Sequence, residues 1–151
     1  METILKGLAN YLIAADTAKK FKVITYSEFL DELIAKNQTP FIDIIGLQEI
    51  KKPIDRHSMK SVYSRTFEVT IVIVQDAKVT KDIIQGSKTI EGIWSLADYI
   101  YGLINADRTL GGLIDRIAEK EVISKITTLT KDNSIKLALE MELTLVVDRV
   151  G

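Results

Sequence analysis

The chain has 151 residues, 46% of them apolar and 27% charged, with 20 Lys and Arg against 21 Asp and Glu and a net charge of −1. That balance describes one core-forming globular domain, residues 1–151, and disfavours a strongly basic nucleic-acid binder or a cationic membrane peptide. The absence of cysteine excludes disulfides, thiol nucleophiles and thiolate metal sites, and a lone histidine, His57, excludes any site needing two imidazoles.

Ile4, Leu8 and Leu12, flanked by Leu5, Ala9 and Ile13, form a wide apolar stripe that predicts a first helix from about Thr3 to Lys19. Glu2, Lys6 and Asp16 interrupt it, so it lacks a signal-peptide core. Phe21–Thr25 is short and β-branched, a strand. Ser27 to Lys36 reads as a helix, with Ser27 as its cap and Leu30, Leu33 and Ile34 on one face. Asn37-Gln38-Thr39-Pro40 breaks it before a second strand, Phe41–Ile45.

From Gly46 to about Lys60 no period fits and Pro53 intervenes, so a long loop is expected, of the kind that carries function. Tyr63, Arg65, Phe67, Val69, Ile71 and Ile73 then alternate with Ser64, Thr66, Glu68 and Thr70 in a long strand, whose end becomes apolar on both faces at Val72 and Val74. The run Val69–Val74 is far short of the roughly 20 residues that span a bilayer. A linker, Asp76 to Ser87, holds a short turn at Lys81–Ile84.

Ile90, Ile93, Trp94, Ala97, Ile100, Tyr101 and Ile104 form the best helical stripe, with Trp94 and Tyr101 expected in the core. Asn105–Asp107 ends that helix and Arg108–Gly112 turns the chain. Leu113 to Leu129 is mixed, with strand character over Val122–Thr128, and Lys131–Ser134 is a hairpin turn. In the last strand Ile135, Leu137, Leu139, Met141, Leu143, Leu145 and Val147 oppose Lys136, Ala138, Glu140, Glu142, Thr144 and Asp148. The expected fold is α+β: a mixed, mainly antiparallel sheet with two helices packed on one face.

Several residues invite a chemical reading. Gly86-Ser87-Lys88-Thr89 superficially matches the end of a phosphate-binding loop. That loop needs glycine where Ser87 and Asp82 stand, so a polar helix start is expected instead. Glu140 and Glu142, two apart on a strand, place carboxylates about 6.5–7 Å apart, but alternating strands routinely turn acids outward. They are assigned to a subunit interface, with Arg65. His57 is a lone loop histidine, and no calcium-loop pattern occurs. Lys51, Lys52, Arg56, Lys60 and Arg65 form the one basic cluster. It lacks the interleaved aromatics of a single-strand binder and fits an acidic protein neighbour better. Gly111-Gly112 supplies positive φ after a helix.

The run Leu96-Ala97-Asp98-Tyr99-Ile100-Tyr101-Gly102-Leu103-Ile104-Asn105-Ala106-Asp107-Arg108-Thr109-Leu110-Gly111-Gly112-Leu113-Ile114 resembles the tail terminator (tail completion) proteins of long-tailed bacteriophages and related phage-tail-like particles. There a helix enters an "L-x-x-D-x-T-L-G-G-x-V"-like turn, followed by two strands that close the domain. Ile104 and Ile114 stand here for the leucine and valine. An amphipathic N-terminal helix, an irregular loop and the long strand Thr66–Ile73 agree with the family's element order. The added helix at Ser27–Gln38 and the long linker Ala77–Ser87 depart from it.

The resemblance implies a non-enzymatic virion protein without cofactor or metal, assembled in the host cytoplasm. It would form a hexameric ring on the finished tail tube, stop its polymerisation and meet the head connector or stopper protein, with DNA passing through the lumen without specific binding and no membrane involved. The Gly46–Lys60 loop, through Lys51, Lys52, Arg56, His57 and Lys60, is then expected to dock on the tube. Leu110, Gly111 and Gly112 would form the structural turn. A head–tail joining or tube protein of the same particle is the alternative; a small enzyme is disfavoured because no convergent polar pocket can be assembled, and a nucleic-acid module would show steeply salt-dependent binding.

Overall fold

The computed structural model describes residues 1–25, 40–53, 62–77, 80–88, 90–118, 124–131 and 134–150. The expected helix at Ser27–Lys36, the basic residues Arg56, His57 and Lys60, and the centre of the Lys131–Ser134 turn lie outside them. Among the described residues the elements run α1 (Glu2–Ala15), β1 (Lys22–Thr25), β2 (Phe41–Pro53), β3 (Val62–Ala77), α2 (Thr80–Gln85), α3 (Ile93–Ala106), β4 (Arg116–Ile117), β5 (Ser124–Lys131) and β6 (Ser134–Val150).

The strands form one mixed sheet in the order β1-β2-β3-β6-β4, with β5 also paired to β6. β1 runs parallel to β2 and every other pairing is antiparallel. This is the expected α+β architecture, with a short extra helix at the anticipated turn in the linker and a two-residue strand, β4, after the glycine pair.

One sheet face carries the main core. Ile42, Ile44, Phe67, Val69, Ile71, Ile73 and the odd-numbered residues of β6 from Leu137 to Val147 meet Leu5, Leu8 and Leu12 of α1 and Ile93, Leu96, Ala97, Ile100 and Ile104 of α3. Each fully buried aliphatic side chain contributes about 1.5–3 kcal/mol of transfer free energy. A smaller cluster, Phe41, Val72, Val74 and Ala138, lies on the other face, which explains why β3 becomes apolar on both sides near its end.

The helices are tied together by polar contacts. Asp16, buried just past α1, accepts from the Lys20 and Phe21 amides and from the Tyr99 hydroxyl at 2.9 Å. It thereby ends the helix four residues before the expected Lys19 and holds the approach to β1 against α3. The Tyr11 hydroxyl donates to the Leu103 carbonyl at 2.6 Å. Gly92, at the start of α3, passes so close to α2 that a Cβ there would lie 2.8 Å from the Ile84 carbonyl oxygen and 2.9 Å from the Gly86 nitrogen. Only glycine permits that approach.

Two expectations are corrected. The first eight residues of the expected Gly46–Lys60 loop are strand: β2 pairs with β3 as far as Pro53↔Tyr63. The period broke because a β-bulge intervenes. Gly46 pairs with Val69 and Gln48 with Glu68, leaving Leu47 over. Before the bulge the even residues Ile42 and Ile44 face the helices; after it the odd residues Glu49 and Lys51 do. Leu47 itself is 57% exposed. The second correction concerns Trp94 and Tyr101, which are each 42% exposed rather than core. The buried side of α3 is centred on Ile93, Ile100 and Ile104 with Leu96 and Ala97 beside them. At 100° per residue, Trp94 and Tyr101 fall on one flank of that side, toward solvent.

Candidate functional site

The bulge carries β2 on through Gly46–Pro53 as the outermost of the described strands at this end of the sheet, an arm paired with β3, which is itself paired with β6 at the same level, and this decides where its charges go. Lys51 pairs with Arg65 on the face that bears the helices further along, whereas Lys52 pairs with Ser64 on the opposite face. The lysines are both exposed but do not form one patch. On the helix-side face, Lys51 Nζ sits 4.2 Å from the centre of the Tyr63 ring, and the Arg65 guanidinium lies 5.3 Å from that of Phe67. Arg65 also donates through both Nε, at 2.9 Å, and Nη2 to Glu49 Oε1. That hydrogen bond, with a smaller contribution from the Met1 amino group, holds the Glu49 carboxyl below its ordinary range. Arg65 is thus partly committed within its own subunit.

Glu140 and Glu142 are exposed on the opposite face, paired in register with Val72 and Thr70. Arg65 pairs with Val147, a core residue of the helix-side face. The sheet therefore separates Arg65 from the two glutamates with which it was grouped. Glu68, diagonal to Glu142 on β3, adds a third, half-buried carboxylate to that face.

The turn after α3 is the most constrained local structure. Leu110, Gly111 and Gly112 have φ of 51°, 72° and 86°, three successive residues in the left-handed region. Asp107 holds them: its Oδ1 accepts from the Thr109 amide at 3.0 Å and the Thr109 hydroxyl at 2.6 Å, and its Oδ2 accepts from the Gly111 amide at 3.0 Å. The Gly112 and Ile114 amides both donate to the Thr109 carbonyl. The payoff is placement: Leu110 and Ile114 are buried in the main core and the chain leaves toward β4. Short acceptor side chains suit both positions: Asp107 accepts from amides two and four residues ahead, and the Thr109 hydroxyl accepts from the Gly112 amide, three ahead, at 3.2 Å.

The Thr109 hydroxyl, and then the Thr109 and Gly111 amides, lower the Asp107 carboxyl below its ordinary 3.8. A group lowered on folding contributes stability that is complete above the unfolded value and is lost as pH falls through the folded one. The turn is therefore expected to loosen only below about pH 4. Amide exchange at Thr109 and Gly111, followed by NMR across that range, checks this. Asp107→Asn should remove the pH dependence while weakening the turn at neutral pH.

Ser87 and Lys88, from the phosphate-loop-like run, line an open cleft of about 320 Å³ at the connection from α2 to α3, with Ile90 and Glu91 of that connection and with Lys20 and Pro40, which precede β1 and β2. Ser87 Oγ accepts from the Ile90 amide, so it serves the turn before α3. Lys20 is engaged with Glu91 at 3.4 Å and with the Tyr99 ring. A second hollow, about 130 Å³, lies between α1 and the arm, lined by Ile4, Arg65, Phe67, Leu113 and Val147 among others. Among the described residues no three acidic or imidazole side chains gather as a metal site, and no helix is long and apolar enough to cross a membrane.

Sequence reasoning missed the outward flank of α3. The signal was present: over its 14 residues, IWSLADYIYGLINA, this helix carries one charge, Asp98, although 27% of the chain is charged. The comparisons with known proteins add no relative: no protein-family model matches the chain, and neither does any curated protein.

Proposed function

We propose that this chain is a non-enzymatic subunit of a tail terminator ring, which caps the finished tail tube of a phage or phage-tail-like particle and presents a surface to the head connector. The observation that carries this reading is the Asp107-x-Thr109-Leu110-Gly111-Gly112 turn, at which an amphipathic helix passes into the closing strands of a mixed sheet. The α+β fold, with its helices on one sheet face, supports the element order on which the resemblance rests. The exposed end of β2 at Lys51 and Lys52 supports it too, because a ring subunit needs surfaces that differ from one another: heterologous contacts that close make rings. Lys51, Lys52, Arg56, His57 and Lys60 are assigned to the tube contact, and Glu140 and Glu142 to a subunit boundary.

The test is solution mass by light scattering with negative-stain images of the same sample, alone and with purified tail tubes. Rings of about six subunits, or rings that appear only on tube ends, support the reading. Long self-assembled tubes would make this the tube protein. A monomer that leaves tube ends bare and binds the connector would make it a joining protein.

A further inference from the structure

We infer that the outward flank of α3 is the acceptor surface for the basic arm of a second copy of this chain. The surface has the composition of an interface core. Trp94 and Tyr101 stand one heptad apart, each 42% exposed, with exposed Asp98 and Gly102 beside them. A Cβ on Gly102 would meet nothing within 4 Å, so the helix backbone is open to close approach there. Interfaces are depleted in Lys and Glu and enriched in Trp and Tyr, whereas ordinary solvent faces of helices are charged. α3 contains no Lys or Arg at all, and Arg108, just beyond it, is turned onto Asn105 at 2.7 Å.

Charge identifies the occupant. The flank has a single charge, negative, and no described cation pairs with Asp98. The arm presents exposed Lys51 and Lys52, neither of which makes an ion pair among the described residues, and Lys51 is already seated on an aromatic ring in its own subunit. A lysine set between Trp94 and Asp98 would gain both an ion pair and a cation–π contact. Arm and flank are different surfaces, so the contact is heterologous and generates a ring if the rotation closes. This inference rests on the ring reading above. It moves Lys51 and Lys52 to the neighbouring subunit and leaves the tube contact to Arg56, His57 and Lys60.

Trp94 is the chain's only tryptophan, so its fluorescence reports the contact directly. In the full chain, rising concentration should shift its emission to the blue and protect it from acrylamide, in step with the mass measured by sedimentation. Asp98→Lys alone and Lys51→Glu/Lys52→Glu together should each weaken association about 30-fold, the scale of an interface hot spot. Mixing the two variants should restore it, because each arm then finds a helix of opposite charge. Rings whose Trp94 stays exposed, or a mixture no better than its parts, would overturn the contact while leaving the ring reading in place. A monomer at every concentration that also leaves tube ends bare would overturn both.

Discussion

Replacing Lys51, Lys52 and Arg56 together by Glu is expected to abolish capping of tail tubes while leaving the domain folded. The substitution changes the local charge by six units, at Lys51 and Lys52, proposed to meet the neighbouring subunit, and at Arg56, proposed to meet the tube. Like charges brought together at a protein contact cost several kcal/mol, so affinity should fall by roughly a thousandfold or more. Fold stability should move little, since Lys51 and Lys52 are exposed and the ring contact of Lys51 with Tyr63 is worth about 0.5–1 kcal/mol. Tube length and end occupancy in negative stain read the first effect, and thermal melting by circular dichroism the second. Capping by the wild type should also weaken as salt rises, because exposed charges are screened within about 10 Å at 0.1 M. Normal capping by a folded triple variant would overturn both the subunit contact of Lys51 and Lys52 and the tube contact of Arg56.

Gly111→Ala/Gly112→Ala is expected to be the most destabilising change at the surface of the molecule. A Cβ on Gly112 would meet nothing within 4 Å, and one on Gly111 only Tyr11 Cδ2 at 3.9 Å. Steric clash with neighbours is therefore absent and the cost is conformational: φ of 72° and 86° in residues that, once they carry a Cβ, pay about 1–2 kcal/mol each for the left-handed region. The pair should lose roughly 2–4 kcal/mol, a large share of the 5–15 kcal/mol typical of a domain. Asn, which visits this region more readily, should cost less at Gly112 than Ala does. Urea midpoints at constant slope measure it. An unchanged midpoint for the double variant would mean that the turn tolerates another geometry. The same substitution at Gly102, in the open middle of α3, should instead stabilise the free subunit, by about 0.5–1 kcal/mol. That contrast separates glycine needed for the backbone from glycine on an open surface.

Much of this molecule was legible in its residues because the signals are local. The i, i+4, i+8 spacing of Ile4, Leu8 and Leu12 determined α1; the strict alternation of β3 and β6 determined both strands and which of their residues are core; Asp107, Thr109 and the glycine pair determined a turn. Helical and strand periods follow from backbone geometry alone, so one sequence suffices to read them. The tertiary structure decided the rest. The bulge at Leu47 is a mismatch in length between two paired strands, and it exists only once β2 meets β3. The direction of α3's stripe depended on where the sheet lies beneath it, which sent Leu96 inward and left Trp94 and Tyr101 on the flank. The separation of Arg65 from Glu140 and Glu142 followed from register, since cross-strand partners share a face and one residue of slip exchanges the faces. Period is a property of a segment; phase, depth and company are properties of the partners it packs against.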